Sequence, residues 1–159
     1  MKLTSKGRYA VTAMLDLALH VDEGPVTLAG ISERQGISLS YLEQLFARLK
    51  KSGLVDGVRG PGGGYCLACP PQDISIAQVI NAIGEGIDVT LCEGQQDCQE
   101  GERCLTHALW DRLGTEIFNF LDDITLSGFL QREKVSELVR RQQQDSVTLD
   151  VVKLNSTMA

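Results

Sequence analysis

The sequence predicts a mainly α fold with one small β-hairpin, arranged as a winged helix-turn-helix followed by a long helix. Three observations predict it. Residues 28–51 read as a short helix, a glycine turn and a longer helix; a glycine-rich hairpin follows directly; and a strongly periodic apolar stretch begins at Leu105. With 159 residues, 43% of them apolar and 23% charged, the chain can bury one sizeable core and has the balance of an ordinary globular protein.

The elements follow in order. Thr4 or Ser5 can cap a first helix, in which Ala10, Ala13, Met14, Leu17 and Ala18 recur at helical spacing until Gly24-Pro25. Thr27 can cap a second helix that stops at Gly36, a residue suited to the left-handed conformation beyond a helix end. Ser38 or Ser40 can cap a third, with Leu42, Leu45, Phe46 and Leu49 facing inward and Gly53 closing it. Residues 54–58 and 65–67 read as two strands, joined by Arg59-Gly60-Pro61-Gly62-Gly63-Gly64, which fits neither a helix nor a strand interior. Ser75 to Ile83 is one more short helix. Residues 84–103 carry two cysteines, with a third directly after them at 104, and little periodicity, and a loop of that length inside a compact domain points to function. A helix is expected from Leu105 to about Leu121, with Leu109, Leu113, Ile117, Phe120 and Leu121 on one side. Thr125 can cap a last short helix, and a flexible tail is expected over 136–159.

The net charge of −6 hides a split. Residues 1–65 carry eight Lys/Arg against six Asp/Glu, and residues 66–159 carry seven against fifteen. Such asymmetry is a weak hint of a nucleic-acid-binding segment joined to something else. No run is long and apolar enough for a membrane span and no signal peptide stands out, so a cytoplasmic protein without a membrane partner is expected. In that compartment the five cysteines, an odd number, point to metal or redox chemistry before a disulfide framework.

A recognition helix needs short polar side chains near its N-terminus to reach base edges. The third helix offers Ser38, Ser40, Glu43 and Gln44 there. Gln44 suits adenine, and Glu43 can accept from the cytosine amino group but offers nothing to phosphate. Tyr41, Lys6, Arg8, Lys50 and Lys51 are candidate phosphate contacts, which position without specifying. In the hairpin loop, Gly60, Pro61, Gly62, Gly63 and Gly64 keep bulk low for a minor groove, and Arg59 supplies the cation. The bland alternative is two core helices and a tolerated surface loop; the order of helix-turn-helix and hairpin argues against it.

Cys92, Cys98, Cys104 and His107 form C-x5-C-x5-C-x2-H, three thiolates and an imidazole within sixteen residues. Such ligands select zinc, Cu(I) or iron–sulfur clusters. Zinc sites favour tighter pairs, and the looser spacing favours a dinuclear cluster, with zinc remaining open. His107 lies three residues after Cys104, which on an opening helix places both on one face. Cys66 and Cys69 form a C-x2-C pair, read as a strand residue and a residue before Pro70-Pro71.

At this point four segments resemble the Rrf2 family of regulators: residues 2–10 (KLTSKGRYA), 37–46 (ISLSYLEQLF), 58–65 (VRGPGGGY) and 104–110 (CLTHALW). The resemblance covers roughly residues 1–135. It implies a winged helix-turn-helix over 1–83, a cluster-binding loop over 84–104, and a dimerisation helix with a short C-terminal helix over 105–135. It implies a homodimer with one 2Fe–2S cluster per subunit on Cys92, Cys98, Cys104 and His107, loaded by the cluster-assembly machinery. The implied activity is binding to double-stranded operator DNA, mainly as a repressor of iron–sulfur assembly genes, with the apo form acting at further promoters, some of them activated. Ser40, Glu43, Gln44 and Arg59 would read bases. Cys66 and Cys69 are extra thiols relative to the family pattern. No catalytic constellation stands out. A cluster carrier and a zinc- or thiol-based redox repressor are the rival readings, and specific duplex binding and metal content distinguish them.

Overall fold

The computed structural model describes residues 4–132, 135 and 137–144. The first helix, α1 (Ser5–Leu19), starts where the Thr4 hydroxyl accepts the Lys6 N–H at 3.2 Å. It ends before the expected Gly24: the His20 Nδ1 donates to the Asp16 carbonyl at 2.8 Å, a short 3₁₀ turn spans Val21–Glu23, and Gly24 reverses the chain at φ +93°. Then α2 (Leu28–Gln35) is capped by Thr27, whose hydroxyl accepts the Gly30 N–H, and stops at Gly36 with φ +65°. Ser38 is the cap residue of α3 (Leu39–Lys51), accepting the Tyr41 N–H at 3.3 Å.

Strands β1 (Val55–Val58) and β2 (Gly64–Leu67) pair antiparallel, with Val55 opposite Leu67 and Val58 opposite Gly64. Val26, just before α2, adds a bridge to Tyr65 through two backbone hydrogen bonds of 2.7 and 2.9 Å. The hairpin is thereby tied to the helix-turn-helix and cannot swing as a free arm. Next comes α4 (Ile76–Ala82), whose Ser75 and Gln78 form a reciprocal capping box. After the long loop come α5 (His107–Asp122) and α6 (Leu126–Leu130). The start of α5 lies two residues beyond the expected Leu105, because the chain makes a turn through Cys104–Thr106 in which the His107 N–H donates to the Cys104 carbonyl.

Leu42, Leu45, Phe46 and Leu49 of α3 are buried against Ala10, Met14 and Leu17 of α1 and against Val79, Ile80 and Ile83. Burying side chains of this size is worth about 1.5–3 kcal/mol each, so the inner face of α3 locks the helix in place and leaves its outer face free. Tyr65 of β2 packs edge-on to Phe46, with ring centres 4.9 Å apart.

The C-terminal segment is stitched into this same core. Ser75 and Thr125 form an antiparallel bridge, with the Ile76 N–H on the Ile124 carbonyl and the Leu126 N–H on the Ile74 carbonyl. Leu126 is fully buried there. On α5, by contrast, Leu109, Trp110, Leu113 and Phe120 are exposed, so among the described residues nothing buries this part of its apolar stripe. Residues 137–144 are helical; the rest of the expected tail lies outside the described residues.

Candidate nucleic-acid interface and metal centre

Ser40, Glu43 and Gln44 lie exposed on the N-terminal half of α3. Ser38 is exposed as well, but its hydroxyl is engaged as the helix cap. Tyr41 is half-buried, its ring edge-on to Tyr9 of α1 at 5.8 Å, and Arg8 is exposed on the same helix as Tyr9. At the hairpin tip, Arg59, Gly60, Pro61 and Gly62 are exposed. Gly60 and Gly62 take φ +97° and +73°, which only glycine adopts freely.

Gly63 and Gly64 have a different reason for being glycine. A Cβ on Gly63 would lie 2.4 Å from the Val58 carbonyl oxygen, and one on Gly64 would lie 2.4 Å from the Val26 carbonyl oxygen. Their lack of bulk serves the packing of the wing on itself and on the strand residue before α2, more than access to a groove.

Lys6 is tied into the fold. Its ammonium donates to the Ile83 carbonyl at the end of α4, and the Arg48 guanidinium donates to the same oxygen at 2.7 Å. One of the three ammonium donors of Lys6 is thereby engaged inside the protein. The Lys50 ammonium rests over Gly57 of β1, 3.3 Å from where a Cβ would be.

Sequence patterning also passed over the bolt between α1 and α2. Asp16 is 1% exposed. Arg34 of α2 binds its carboxylate two-pronged, Nη2 to Oδ1 at 2.6 Å and Nε to Oδ2 at 3.0 Å, and Gln35 donates to Oδ2 at 2.7 Å. The hydrogen bond to Asp16 raises the Arg34 pKa above its ordinary value. The available signal was a carboxylate three residues after Ala13 on the apolar stripe of α1, a position that demands a cationic partner.

The cysteine loop folds back on the start of α5. His107, the first residue of α5 and 5% exposed, places Nδ1 at 3.5 Å from both the Cys92 and Cys98 sulfurs. The three ligand atoms lie within 4.8 Å of one another. Cys104 is not on the same helical face as His107, because it precedes α5. Its backbone N–H donates to the Cys98 sulfur at 3.1 Å, while its own sulfur lies 3.8 Å from the Thr106 hydroxyl and outside the group formed by Cys92, Cys98 and His107.

A brace holds this loop. Asp88 accepts the Thr90 N–H and hydroxyl, both at 2.7 Å, and the Thr90 hydroxyl accepts the Gly94 N–H at 2.9 Å. Gly114 of α5 lets the strand of loop at 87–89 lie against the helix: a Cβ would come 3.2 Å from the Ile87 carbonyl. These contacts set the thiols apart electrostatically. Burial pushes the Cys92 thiol up, but hydrogen bonding with Thr90, with the Gln96 amide, with Cys98 and with the Gly94 amide more than offsets it, leaving it at about 7. The bond with Cys98 lowers the Cys104 thiol. At Cys98 the Cys104 amide lowers the pKa, but burial and its two thiol neighbours outweigh it and the value is raised. Two thiols are thus biased toward the thiolate form that binds metals.

Cys66 is half-buried in β2 opposite Asp56 and Cys69 is exposed, both as free thiols. Among the described residues no helix is long and apolar enough to cross a membrane.

Comparison with known proteins matches residues 3–132 to the Rrf2 family model, described as an iron-dependent transcriptional regulator. The chain is 56% identical over 158 residues to the HTH-type transcriptional regulator IscR of Aliivibrio salmonicida, covering 99% of this chain and 94% of that one. It is 60% identical over 144 residues to the protein of the same name from Photobacterium profundum, covering 91% and 84%. Among solved structures it resembles T. potens IscR, with TM-score 0.69 and 43% identity over 82% of this chain and 87% of that one. It also resembles CymR, the global cysteine regulator of B. subtilis, with TM-score 0.68 and 33% identity over 81% and 95%. With this winged helix-turn-helix and these matches, the chain is a DNA-binding transcriptional regulator, not an enzyme, and it belongs to the Rrf2 family.

Proposed function

We propose that this regulator controls iron–sulfur cluster assembly genes, mainly as a repressor, and that a 2Fe–2S cluster held by Cys92, Cys98, Cys104 and His107 governs its choice of operator. The observation that carries this reading is the convergence of the Cys92 and Cys98 sulfurs and the His107 nitrogen within 4.8 Å, with the Cys104 backbone amide bonded to the Cys98 sulfur. Three soft thiols, two of them biased toward thiolate, and a buried imidazole fit such a group. When bound, it supplies a one-electron redox centre and a tie between loop and helix.

The remaining work falls to the chain's own residues. Ser40, Glu43, Gln44 and Arg59 read bases, while Arg8, Tyr41 and the hairpin tip set the helix on the backbone. Glu43 can only accept hydrogen bonds, so it rejects acceptor-rich base edges unless it meets a cytosine amine or is turned away. Residues 1–83 form the DNA-binding unit, 84–104 the cluster loop, and 105–135 the dimerisation unit. The exposed Leu109, Leu113 and Phe120 of α5 support a homodimer through that helix, with one cluster per subunit. Two recognition helices then meet half-sites about one DNA turn apart. The cluster-assembly machinery of the cytoplasm is the donor.

The test is visible absorption with iron and sulfide analysis on anaerobically purified protein, alongside Cys92→Ala, followed by operator binding in both states. Visible bands with about equal iron and sulfide, lost in the variant, are expected. A colourless zinc protein, or a metal-free one after reconstitution, would overturn the sensing half and leave a zinc- or thiol-based regulator. A loaded protein without duplex specificity would instead be a cluster carrier.

A further inference from the structure

The end of α4 is where the DNA-binding unit hands over to the cysteine loop. It is held by side chains from elsewhere. The last carbonyls of a helix lack partners within it and carry partial negative charge, so cations settle there. Here two cations from different helices converge on one such oxygen. The Ile83 carbonyl accepts from Arg48 of α3 at 2.7 Å and from Lys6 in the first turn of α1. Ser52, just past α3, donates to the neighbouring Ala82 carbonyl at 3.4 Å. The Arg48 guanidinium also lies over Gly84, 3.4 Å from where a Cβ would be. One residue on, Glu85 accepts from the Thr4 hydroxyl that caps α1. Residues 82–85, the root of the loop, are thereby held by both the recognition helix and the helix behind it.

Arg48 is eight residues beyond Ser40 on α3, so the anchored end stands about 12 Å along the axis from the base-reading end. A short helix pinned at its far end by a charged hydrogen bond to another element moves with that element.

We propose that Arg48 and Lys6 are positioning residues for operator choice: through the Ile83 carbonyl they fix the tilt of α3 to the root of the cysteine loop. Neither residue acts as a phosphate contact in this role. The inference rests on the proposed control of DNA choice by the loop's metal group.

The experiment uses the full chain, metal-loaded and metal-free, with Arg48→Ala, Arg48→Lys and Lys6→Gln. Affinity for an operator that wild-type protein binds better when loaded is measured across a salt series. In wild type the loaded-to-free affinity ratio measures the coupling. Arg48→Ala is expected to lower that ratio by about fivefold or more, the smaller end of ordinary couplings between sites. The slope of log affinity against log salt should stay at its wild-type value, and Lys6→Gln should lower the ratio in the same direction. Arg48→Lys keeps one donor and should recover part of the ratio, which a mere folding defect would not. Amide exchange at Gly84 and Glu85 in the metal-free protein should quicken in Arg48→Ala, a readout independent of metal.

A slope shallower by about one, with equal affinity loss in both states, would make Arg48 a phosphate contact and overturn the proposal. So would an unchanged ratio in Arg48→Ala when wild type shows one. If wild type itself shows no difference between its two states, the reading of the metal site fails and this inference falls with it.

Discussion

Replacing Asp16 by alanine tests whether the helix-turn-helix is held by its buried ion pair. The carboxylate is 1% exposed and receives a two-pronged bond from Arg34 and a further bond from Gln35. Removing one partner of a buried pair costs about 3–5 kcal/mol, because the other charge is left without compensation. The Arg34 side chain keeps 25% of its surface exposed, so a stranded guanidinium partly regains water and the lower end of that range applies. A loss of about 3 kcal/mol is expected, a large share of the roughly 5–15 kcal/mol that holds an ordinary domain. For a chain of this size it lowers the melting temperature by about 6–12 °C. Asp16→Asn keeps the shape and one acceptor oxygen and should lose about half as much. Equilibrium urea unfolding, followed by circular dichroism and Trp110 fluorescence, gives both values. A loss below about 1 kcal/mol for Asp16→Ala would refute the reasoning, because it would mean that α2 is held by its apolar face alone.

Gly64→Ala drives a methyl group into the Val26 carbonyl 2.4 Å away, and backbone cannot step aside as a side chain would; duplex affinity should fall at least tenfold by gel shift, while the helical circular dichroism is retained. Asp88→Ala removes the acceptor that orders Thr90 and, through it, the Cys92 turn. Metal retention should drop about 10–100-fold in a chelator competition, as for other outer-sphere supports. The Thr90 hydroxyl and amide lower the Asp88 pKa. The brace is therefore intact above the ordinary carboxylate range near 4 and lost as pH falls through the lowered value, so the loop protection in amide exchange that Asp88→Ala loses should be the same at pH 8 and at pH 5. Glu43→Ala removes the acceptor-only side chain from the recognition face. In competition gel shifts the metal-free variant should bind operators that wild type binds only when loaded, and unchanged selectivity would remove Glu43 from the mechanism.

Features that depend on short spans of chain are legible in the letters alone. The starts of the helices, the caps at Thr4, Thr27, Ser38 and Thr125, the left-handed Gly36 and the two-strand hairpin are local decisions, and each appears within a residue or two of where the pattern put it, whereas the first helix ends earlier than Gly24. The grouping of Cys92, Cys98 and His107 was legible for the same reason: sixteen residues of chain can close on themselves. The start of α5 was misjudged because the turn at 104–106 competes with the helix for the same backbone bonds. Other features were decided by tertiary structure alone, because they join residues far apart in the chain. Asp16 found Arg34 across two helices, and Lys6 found the Ile83 carbonyl seventy-seven positions away, an encounter no pattern in either neighbourhood announces. Leu126 joined the core through a bridge at Ser75. Gly63 and Gly64, which looked like slack in a surface loop, proved to be the points where two backbones touch. A side chain's chemistry is written in its own letter, but whether that chemistry is spent inside the fold or left for a ligand depends on the neighbours the fold delivers.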